Sequence, residues 1–150
     1  MQQRKLTESD KYLRRLVCDL LYQCFVELDE NVKVLPFGSA INGFGQSGSD
    51  LDITLLIDEN AVKSKGFCKT TTENNNEEAA TNHRSWNMFS VISKFIKDCI
   101  PGCTSVIALP NARQPVIKFK YNECNLSCDL TVNNRYKDIE NAYHVYIKII

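Results

Sequence analysis

The chain has 150 residues, of which 18 are basic and 18 are acidic, so its formal net charge at pH 7 is zero. This length suits one domain with its own core, and the balanced charge excludes a global basic field for nucleic acid. Seven cysteines without a visible secretory signal predict reduced thiols inside the cell. The longest apolar runs are too short to span a bilayer, so we expect no membrane partner.

The first half of the chain predicts one helix and two strands. Residues 1–30 are assigned to an N-terminal helix, because Thr7 to Leu28 carries apolar side chains at helical spacing behind a capping threonine. Val32 to Leu35 predicts a short strand, and a second strand runs from about Asp50 to Ile57. Residues 59–85 are polar and almost without periodicity, which predicts a disordered insertion. The predicted apolar stripe of the helix comprises Leu13, Leu16, Val17, Leu20, Cys24 and Leu28.

The second half predicts one helix and three strands. Trp86 to Cys99 has a helical stripe that ends before Pro101-Gly102. Val106 to Leu109 predicts a short strand, and Val116 to Tyr121 predicts one that pairs with Leu126 to Val132 across a turn. Strands interleaved with two long helices indicate an α/β (α+β) domain with a mixed central sheet and helices packed on it.

The stretch from Phe37 to Leu55 reads FGSAINGFGQSGSDLDITL, a glycine-rich loop followed by an Asp-x-Asp. Successive side chains of a strand point to opposite faces, so Asp50 and Asp52 share one face while Leu51, Ile53 and Leu55 enter the core. Two adjacent carboxylates repel each other and favour a divalent cation between them. The exposed backbone N–H groups of the loop are suited to a polyphosphate. The stretch predicts a metal-dependent nucleotide site.

Asp129 repeats this geometry on the last predicted strand. Its apolar neighbours occupy alternate positions, which places the carboxylate on the face opposite the core. These neighbours are Leu126, Cys128, Leu130 and Val132.

Gly38-Ser39, Asp50-Leu51-Asp52 and Asp129 resemble the motif of the nucleotidyltransferase superfamily that includes DNA polymerase beta. Three runs narrow the resemblance to the noncanonical poly(A) polymerases and terminal uridylyltransferases: FGSAINGFGQSGSDLD, NARQPVIKF and CDLTVNN. The run PGCTSVIALPNARQPVIKF followed by CDLTVNN is most similar to the mitochondrial poly(A) polymerases. The resemblance implies that residues 31–135 form the catalytic palm domain and that 136–150 are a truncated tail.

The resemblance also implies roles for individual residues. Asp50 and Asp52 would bind a pair of Mg²⁺ or Mn²⁺ ions, and Asp129 would ligate the ion that activates the RNA 3′-hydroxyl. The implied reaction is template-independent addition of AMP from ATP to an RNA 3′ end. The residues implied to bind the nucleotide are Phe37, Gly38, Ser39 and Ser49.

The family continues after Asn134 into a helical domain that closes over the nucleotide, whereas this sequence stops at Ile150. We therefore expect the wall that recognises the base to be absent. Three alternatives stay open. The same carboxylates could serve a terminal uridylyltransferase or an enzyme that transfers AMP to small molecules. The third is a non-catalytic palm domain that acts as a binding module or as half of a homodimer. The resemblance implies a mitochondrial location although no transit peptide is visible, with the cytoplasm as the alternative.

Two further groups of side chains have competing interpretations. Four basic residues could hold phosphates of RNA or of the nucleotide, or they could form a solvated face. These residues are Arg113, Lys118, Lys120 and Arg135. Four cysteines could suggest a zinc site, but their C-x₃-C spacing and the interruption by a Pro-Gly pair favour structural thiols. These cysteines are Cys99, Cys103, Cys124 and Cys128.

Overall fold

The computed structural model describes residues 6–37, 48–66 and 87–134, which contain three α-helices, one short 3₁₀ helix and five strands. The helices are α1 (Glu8–Phe25), α2 (Glu59–Ser64) and α3 (Met88–Cys99), and the 3₁₀ helix is Asn122–Cys124. The strands are β1 (Lys33–Phe37), β2 (Leu51–Leu56), β3 (Cys103–Leu109), β4 (Val116–Tyr121) and β5 (Leu126–Val132). In this part of the chain no helix is both long enough and apolar enough to cross a membrane.

The five strands form one mixed sheet in the order β1-β2-β5-β4-β3. The central pair, β2 and β5, is parallel, and the other neighbouring strands are antiparallel. A parallel pair needs a long crossover connection, here supplied by α2, α3, β3 and β4. The predicted α+β fold with a mixed central sheet is confirmed, and it brings the two predicted acidic strands into contact.

One face of the sheet carries the hydrophobic core. Phe25 of α1 and Phe95 of α3 meet over this face with ring centroids 5.2 Å apart, so both helices share one apolar layer with the strands. Every second side chain of the central strands enters this layer. The buried side chains that the sheet contributes to the core are Leu51, Ile53, Leu55, Cys103, Ile117, Phe119, Cys128 and Leu130, with Val34 at the edge.

Helix α1 begins with a capping box, and most of the predicted stripe is buried in the core or packed against it, namely its later part Val17, Leu20, Cys24 and Leu28. Thr7 accepts a hydrogen bond from the Asp10 backbone N–H at 3.1 Å, and its own N–H donates to the Asp10 carboxylate at 2.9 Å. The predicted stripe is wrong at its first two positions, because Leu13 and Leu16 are 38% and 42% exposed. The helix is turned so that a basic residue enters the interior. Its buried residues are Arg14, Val17, Cys18, Leu21 and Phe25.

Helix α2 occupies the start of the segment that the sequence predicted to be disordered. Asp58 caps it by accepting a hydrogen bond from the Asn60 N–H, and Val62 is fully buried. The prediction is therefore wrong for Glu59–Ser64, since one cap and one buried apolar side chain hold a helix too short for periodicity to reveal. The rest of the predicted insertion from residue 67 onward, and the predicted tail 136–150, lie outside the described residues.

Candidate catalytic site

Asp52 and Asp129 lie side by side at the centre of the sheet. The parallel register pairs Asp52 with Asp129, between the core-facing pairs Leu51–Cys128 and Ile53–Leu130. Because side chains alternate along a strand, both carboxylates project from the face opposite the core. Asp50 stands exposed, one residue before β2 begins. The sheet thus places two of the three predicted carboxylates on adjacent strands, with the third at the start of β2.

A row of four side chains crosses the sheet at this point. Phe37 is the antiparallel register partner of Asp52, and Lys118 is that of Asp129. With the Asp52–Asp129 pair, these residues form a continuous line from β1 through β2 and β5 to β4. The predicted nucleotide-binding residue Phe37 is therefore next to the carboxylates, and Ser49 immediately precedes Asp50. Gly38 and Ser39 lie outside the described residues.

The surroundings of Asp52 make the negative charge on its carboxylate unfavourable. Burial raises the pKa of Asp52 above its ordinary value, and the neighbouring charges of Asp129 and Asp50 raise that pKa further. The cations Lys118 and Arg14 act in the opposite direction but leave the net shift upward. Without further positive charge, the carboxylates repel one another. This is the electrostatic condition under which a divalent cation binds favourably.

Lys118 forms an ion pair with Asp129. Its Nζ lies 3.2 Å from one carboxylate oxygen of Asp129 and 3.1 Å from the other. The side chains of Lys118 and Asp129 are 46% and 23% exposed, so solvent screens the pair and it contributes no more than about 1 kcal/mol to stability. Of the two interpretations of this lysine, the exposed side chain fits a solvated face on which it also pairs with Asp129, and a role in holding phosphates stays a prediction. Lys118 neutralises one carboxylate of the row.

A buried pair of threonines lies beside the carboxylates on the same face of the sheet. Thr54 and Thr131 are register partners, and their Oγ1 atoms are 3.0 Å apart. Thr131 also donates to the Ile53 carbonyl at 3.4 Å. Neither threonine was predicted to have a role. The signal for them was present, because both strands repeat Asp-apolar-Thr, as Asp52-Ile53-Thr54 and Asp129-Leu130-Thr131.

Arg14 of α1 reaches the start of β2 and was also missed. Its Nη2 donates to the Ser49 carbonyl oxygen at 2.6 Å and lies 3.5 Å from the Ser49 hydroxyl oxygen. The side chain is only 6% exposed. The available signal was a basic residue in helical phase with Val17, Cys18 and Leu21. A long helix thus touches the backbone at the residue before Asp50.

Asn133 anchors the other end of the two central strands. It has a φ of +54°, its N–H donates to the Leu55 carbonyl at 2.7 Å, and its Oδ1 accepts from the Ile57 N–H at 2.9 Å. Asparagine tolerates this left-handed backbone better than most residues. The first asparagine of CDLTVNN therefore joins β5 to the end of β2. A shallow open groove lined by Asp29, Lys33, Glu59 and Asn133 lies at this end, away from the carboxylates.

The carboxylate oxygens of the site suit a hard cation such as Mg²⁺, but they supply only part of its coordination sphere. Carboxylate oxygens are preferred by Mg²⁺, which is often held by one or two carboxylates together with waters and substrate phosphates. Asp52 and Asp129 supply such a pair. Among residues 6–37, 48–66 and 87–134, however, no three His, Cys, Asp or Glu side chains are arranged to hold an ion. The four cysteines considered for zinc therefore form no such group within these residues. Strands β2 and β5 therefore supply two adjacent carboxylates to a metal site, those of Asp52 and Asp129.

Comparison with known proteins gives consistent matches. A family model described as "Poly(A) RNA polymerase, mitochondrial-like, central palm domain" matches residues 1–143. The mitochondrial poly(A) RNA polymerase of Homo sapiens is 35% identical over 138 residues, which cover 87% of this chain and 23% of that protein. The speckle targeted PIP5K1A-regulated poly(A) polymerase of Danio rerio is 31% identical over 145 residues, which cover 87% and 18%.

Solved structures show the same likeness. The crystal structure of mtPAP in complex with ATPγS has a TM-score of 0.66 and 30% sequence identity, covering 96% of this chain and 29% of that one. The same protein has been crystallised with GTP, UTP and CTP. The chain spans between 18% and 29% of the length of these relatives and this structure.

Proposed function

Because the chain belongs to the family of mitochondrial-like poly(A) RNA polymerase central palm domains, we propose that it is the catalytic palm of an RNA 3′-terminal nucleotidyltransferase that adds AMP from ATP. The observation that carries the proposal is the register pairing of Asp52 with Asp129 on the face opposite the core. A fold alone does not specify chemistry, but two repelling carboxylates on adjacent strands form a site that a divalent cation would complete.

We propose that Asp52 and Asp129 hold Mg²⁺ or Mn²⁺ and that Asp50 assists from the start of β2. When bound, such ions lower the pKa of the attacking hydroxyl and stabilise the charge on the leaving pyrophosphate. The overall reaction joins the RNA 3′-oxygen to the α-phosphorus of ATP, with release of pyrophosphate and one proton. Gly38 and Ser39 follow Phe37 in the sequence, and we propose that they hold the triphosphate.

The residues around the carboxylates have supporting roles. Lys118 balances the charge of Asp129 until a stronger cation arrives, because its ammonium contacts both carboxylate oxygens. Thr54 and Thr131 hold β2 and β5 in one register, so the two carboxylates keep a fixed separation along the strands. Rigid placement of this kind is what a reaction dominated by positioning and charge requires.

The test is extension of a labelled oligoribonucleotide by this chain, with each of the four NTPs offered separately in Mg²⁺ or Mn²⁺. Asp52→Asn and Asp129→Asn should abolish extension, whereas Asp98→Asn, on an exposed position of α3, should leave it unchanged. Extension with ATP supports the proposal. Extension with UTP alone identifies a uridylyltransferase. A folded wild-type chain that extends nothing overturns the enzymatic proposal, and sedimentation would then test for a homodimer.

We propose a mitochondrial location on the likeness to the mitochondrial enzymes, while the speckle targeted relative carries a name that points elsewhere. Fractionation of cells that express the tagged protein from its own gene tests this. Recovery with mitochondria supports the proposal, and recovery in the cytosol or with nuclei overturns it.

A further inference from the structure

Arg14 is a buried cation on the inner face of α1. It is 6% exposed and lies in helical phase with Val17, Cys18 and Leu21, which are all buried. Removing a guanidinium from water is costly unless hydrogen bonds and an opposite charge compensate it. An apolar residue at this position would pack without that cost. Packing alone therefore does not explain an arginine at this position.

The Arg14 guanidinium donates a hydrogen bond to one backbone carbonyl beside the site. Its Nη2 donates to the Ser49 carbonyl at 2.6 Å across a sequence separation of 35 residues. Hydrogen bonds from a charged donor are shorter and stronger than neutral ones. The Ser49 carbonyl belongs to the peptide whose nitrogen is that of Asp50. The bond thus fixes the backbone from which the Asp50 side chain projects.

Within residues 6–37, 48–66 and 87–134, the rest of the guanidinium lacks the partners expected of a purely structural arginine. In the described parts of the chain Arg14 forms no ion pair with a carboxylate, and the ion pairs present there are Lys11–Glu8, Lys63–Glu59 and Lys118–Asp129. Among the described residues its buried Nη1 has no hydrogen-bond acceptor. Buried arginines that only stabilise a fold normally have both compensations. Among the described residues, the strong contact of Arg14 goes to Ser49, two residues before β2.

We propose that Arg14 is a positioning residue of the carboxylate site, which sets the Asp50 backbone so that Asp50 can join Asp52 in holding a divalent cation. The inference rests on the proposed function, and it gives helix α1 a role in positioning the site. This positioning role can be distinguished from a direct effect of the Arg14 charge on the metal ion. A nearby cation repels a metal ion, so removing the charge of Arg14 alone would strengthen metal binding, whereas loss of positioning weakens it.

The experiment measures Mn²⁺ binding by the full chain, with the metal alone, by isothermal titration calorimetry. We compare wild type, Arg14→Met, Arg14→Lys and the control Arg15→Met, which alters the adjacent, exposed arginine of the same helix. We expect Arg14→Met to weaken Mn²⁺ binding at least about tenfold, as is usual when a residue that orients a metal ligand is removed. Arg14→Lys should retain part of the affinity, and Arg15→Met all of it.

A second series repeats the measurement in an Asp50→Asn background. If Arg14 acts through Asp50, the effect of Arg14→Met should shrink to within error there, because interacting residues are not additive. Circular dichroism and urea unfolding establish which variants are folded, and Arg14→Lys replaces Arg14→Met if the latter is not. A folded Arg14 variant that binds Mn²⁺ as tightly as wild type, or more tightly, overturns the inference. A folded wild type that binds no Mn²⁺ overturns the proposed metal site itself.

Discussion

The hydroxyl oxygens of Thr54 and Thr131 lie 3.0 Å apart on adjacent strands, each two residues beyond a carboxylate of the site. In a strand, a slip of one residue would turn every side chain to the opposite face and carry Asp129 into the core. The hydroxyl pair is satisfied only in the observed register. One buried hydrogen bond therefore helps to fix both the sheet and the alignment of Asp52 with Asp129.

Thr131→Val should destabilise the chain more than Thr54→Val does. Without Thr131, the buried Thr54 hydroxyl loses its partner, whereas without Thr54 the Thr131 hydroxyl keeps the Ile53 carbonyl at 3.4 Å. We expect a loss of about 1–3 kcal/mol for Thr131→Val and about 1 kcal/mol for Thr54→Val. The double variant should cost less than the sum, since neither hydroxyl is then left unsatisfied. Urea unfolding measures all three, and strict additivity would contradict a direct bond.

Asp52→Asn should be more stable than wild type at pH 7. Burial and the charges of Asp129 and Asp50 raise the folded-state pKa of Asp52 above its ordinary 3.8, so the native state binds this proton more tightly than the unfolded chain. Wild type therefore loses stability as pH rises through that raised pKa, and asparagine does not titrate. The difference should vanish below about pH 3.8. Unfolding curves from pH 3 to pH 7 test this, with Asp98→Asn as the control, and a less stable Asp52→Asn at pH 7 would contradict the repulsion.

Lys118→Met should strengthen Mn²⁺ binding. The Lys118 ammonium occupies both oxygens of Asp129, so a metal ion has to displace it. A partly exposed pair is worth no more than about 1 kcal/mol, so the expected gain is about two- to fivefold in affinity. Lys120→Met, at the next position on the same face of β4, should change the affinity less. Weaker Mn²⁺ binding by Lys118→Met would instead show that the lysine orients Asp129.

The buried thiols should resist alkylation until the chain unfolds. Burial raises the pKa of Cys18 and of Cys103 to about 12, and it also raises that of Cys128, so these groups stay protonated at pH 8. Cys99 is exposed. We expect iodoacetamide to modify Cys99 at least about tenfold faster than the three buried thiols, because the accessible thiolate is the reactive form.

Mass spectrometry of peptides from the time course measures these rates, and a parallel reaction in urea should make the cysteines nearly equal. Rapid modification of Cys18 in the native protein would show that α1 separates readily from the sheet.

Local patterns were sufficient to predict the strands that carry the site. The bounds of β4 and β5 match the predicted Val116–Tyr121 and Leu126–Val132, because alternation along a half-buried strand is a strong signal. Alternation also gave the shared face of Asp52 and of Asp129 with respect to the core. It could not give their adjacency, since β2 and β5 are far apart in sequence and no short-range rule pairs them. That step depended on the family resemblance.

The features that sequence reasoning missed depend on distant partners. Leucines occur on two sides of α1, and on the buried side Arg14 has an acceptor in the Ser49 carbonyl oxygen. A basic residue normally argues for the exposed face of a helix, so the predicted stripe placed Leu13 and Leu16 inside. Thr54 and Thr131 each look like an ordinary strand residue until their strands are paired. Tertiary contacts decided these positions, and local propensity did not.

The order of elements also bears on synthesis of the chain. Asp52 emerges from the ribosome long before Asp129, and their strands cannot pair until the intervening helix α3 and hairpin β3–β4 have been made. Closing so large a loop costs entropy that only the completed sheet returns. The two acidic residues are thus kept apart until β5 has been made, and any product that ends before β5 has half of the carboxylate pair and no parallel partner for β2.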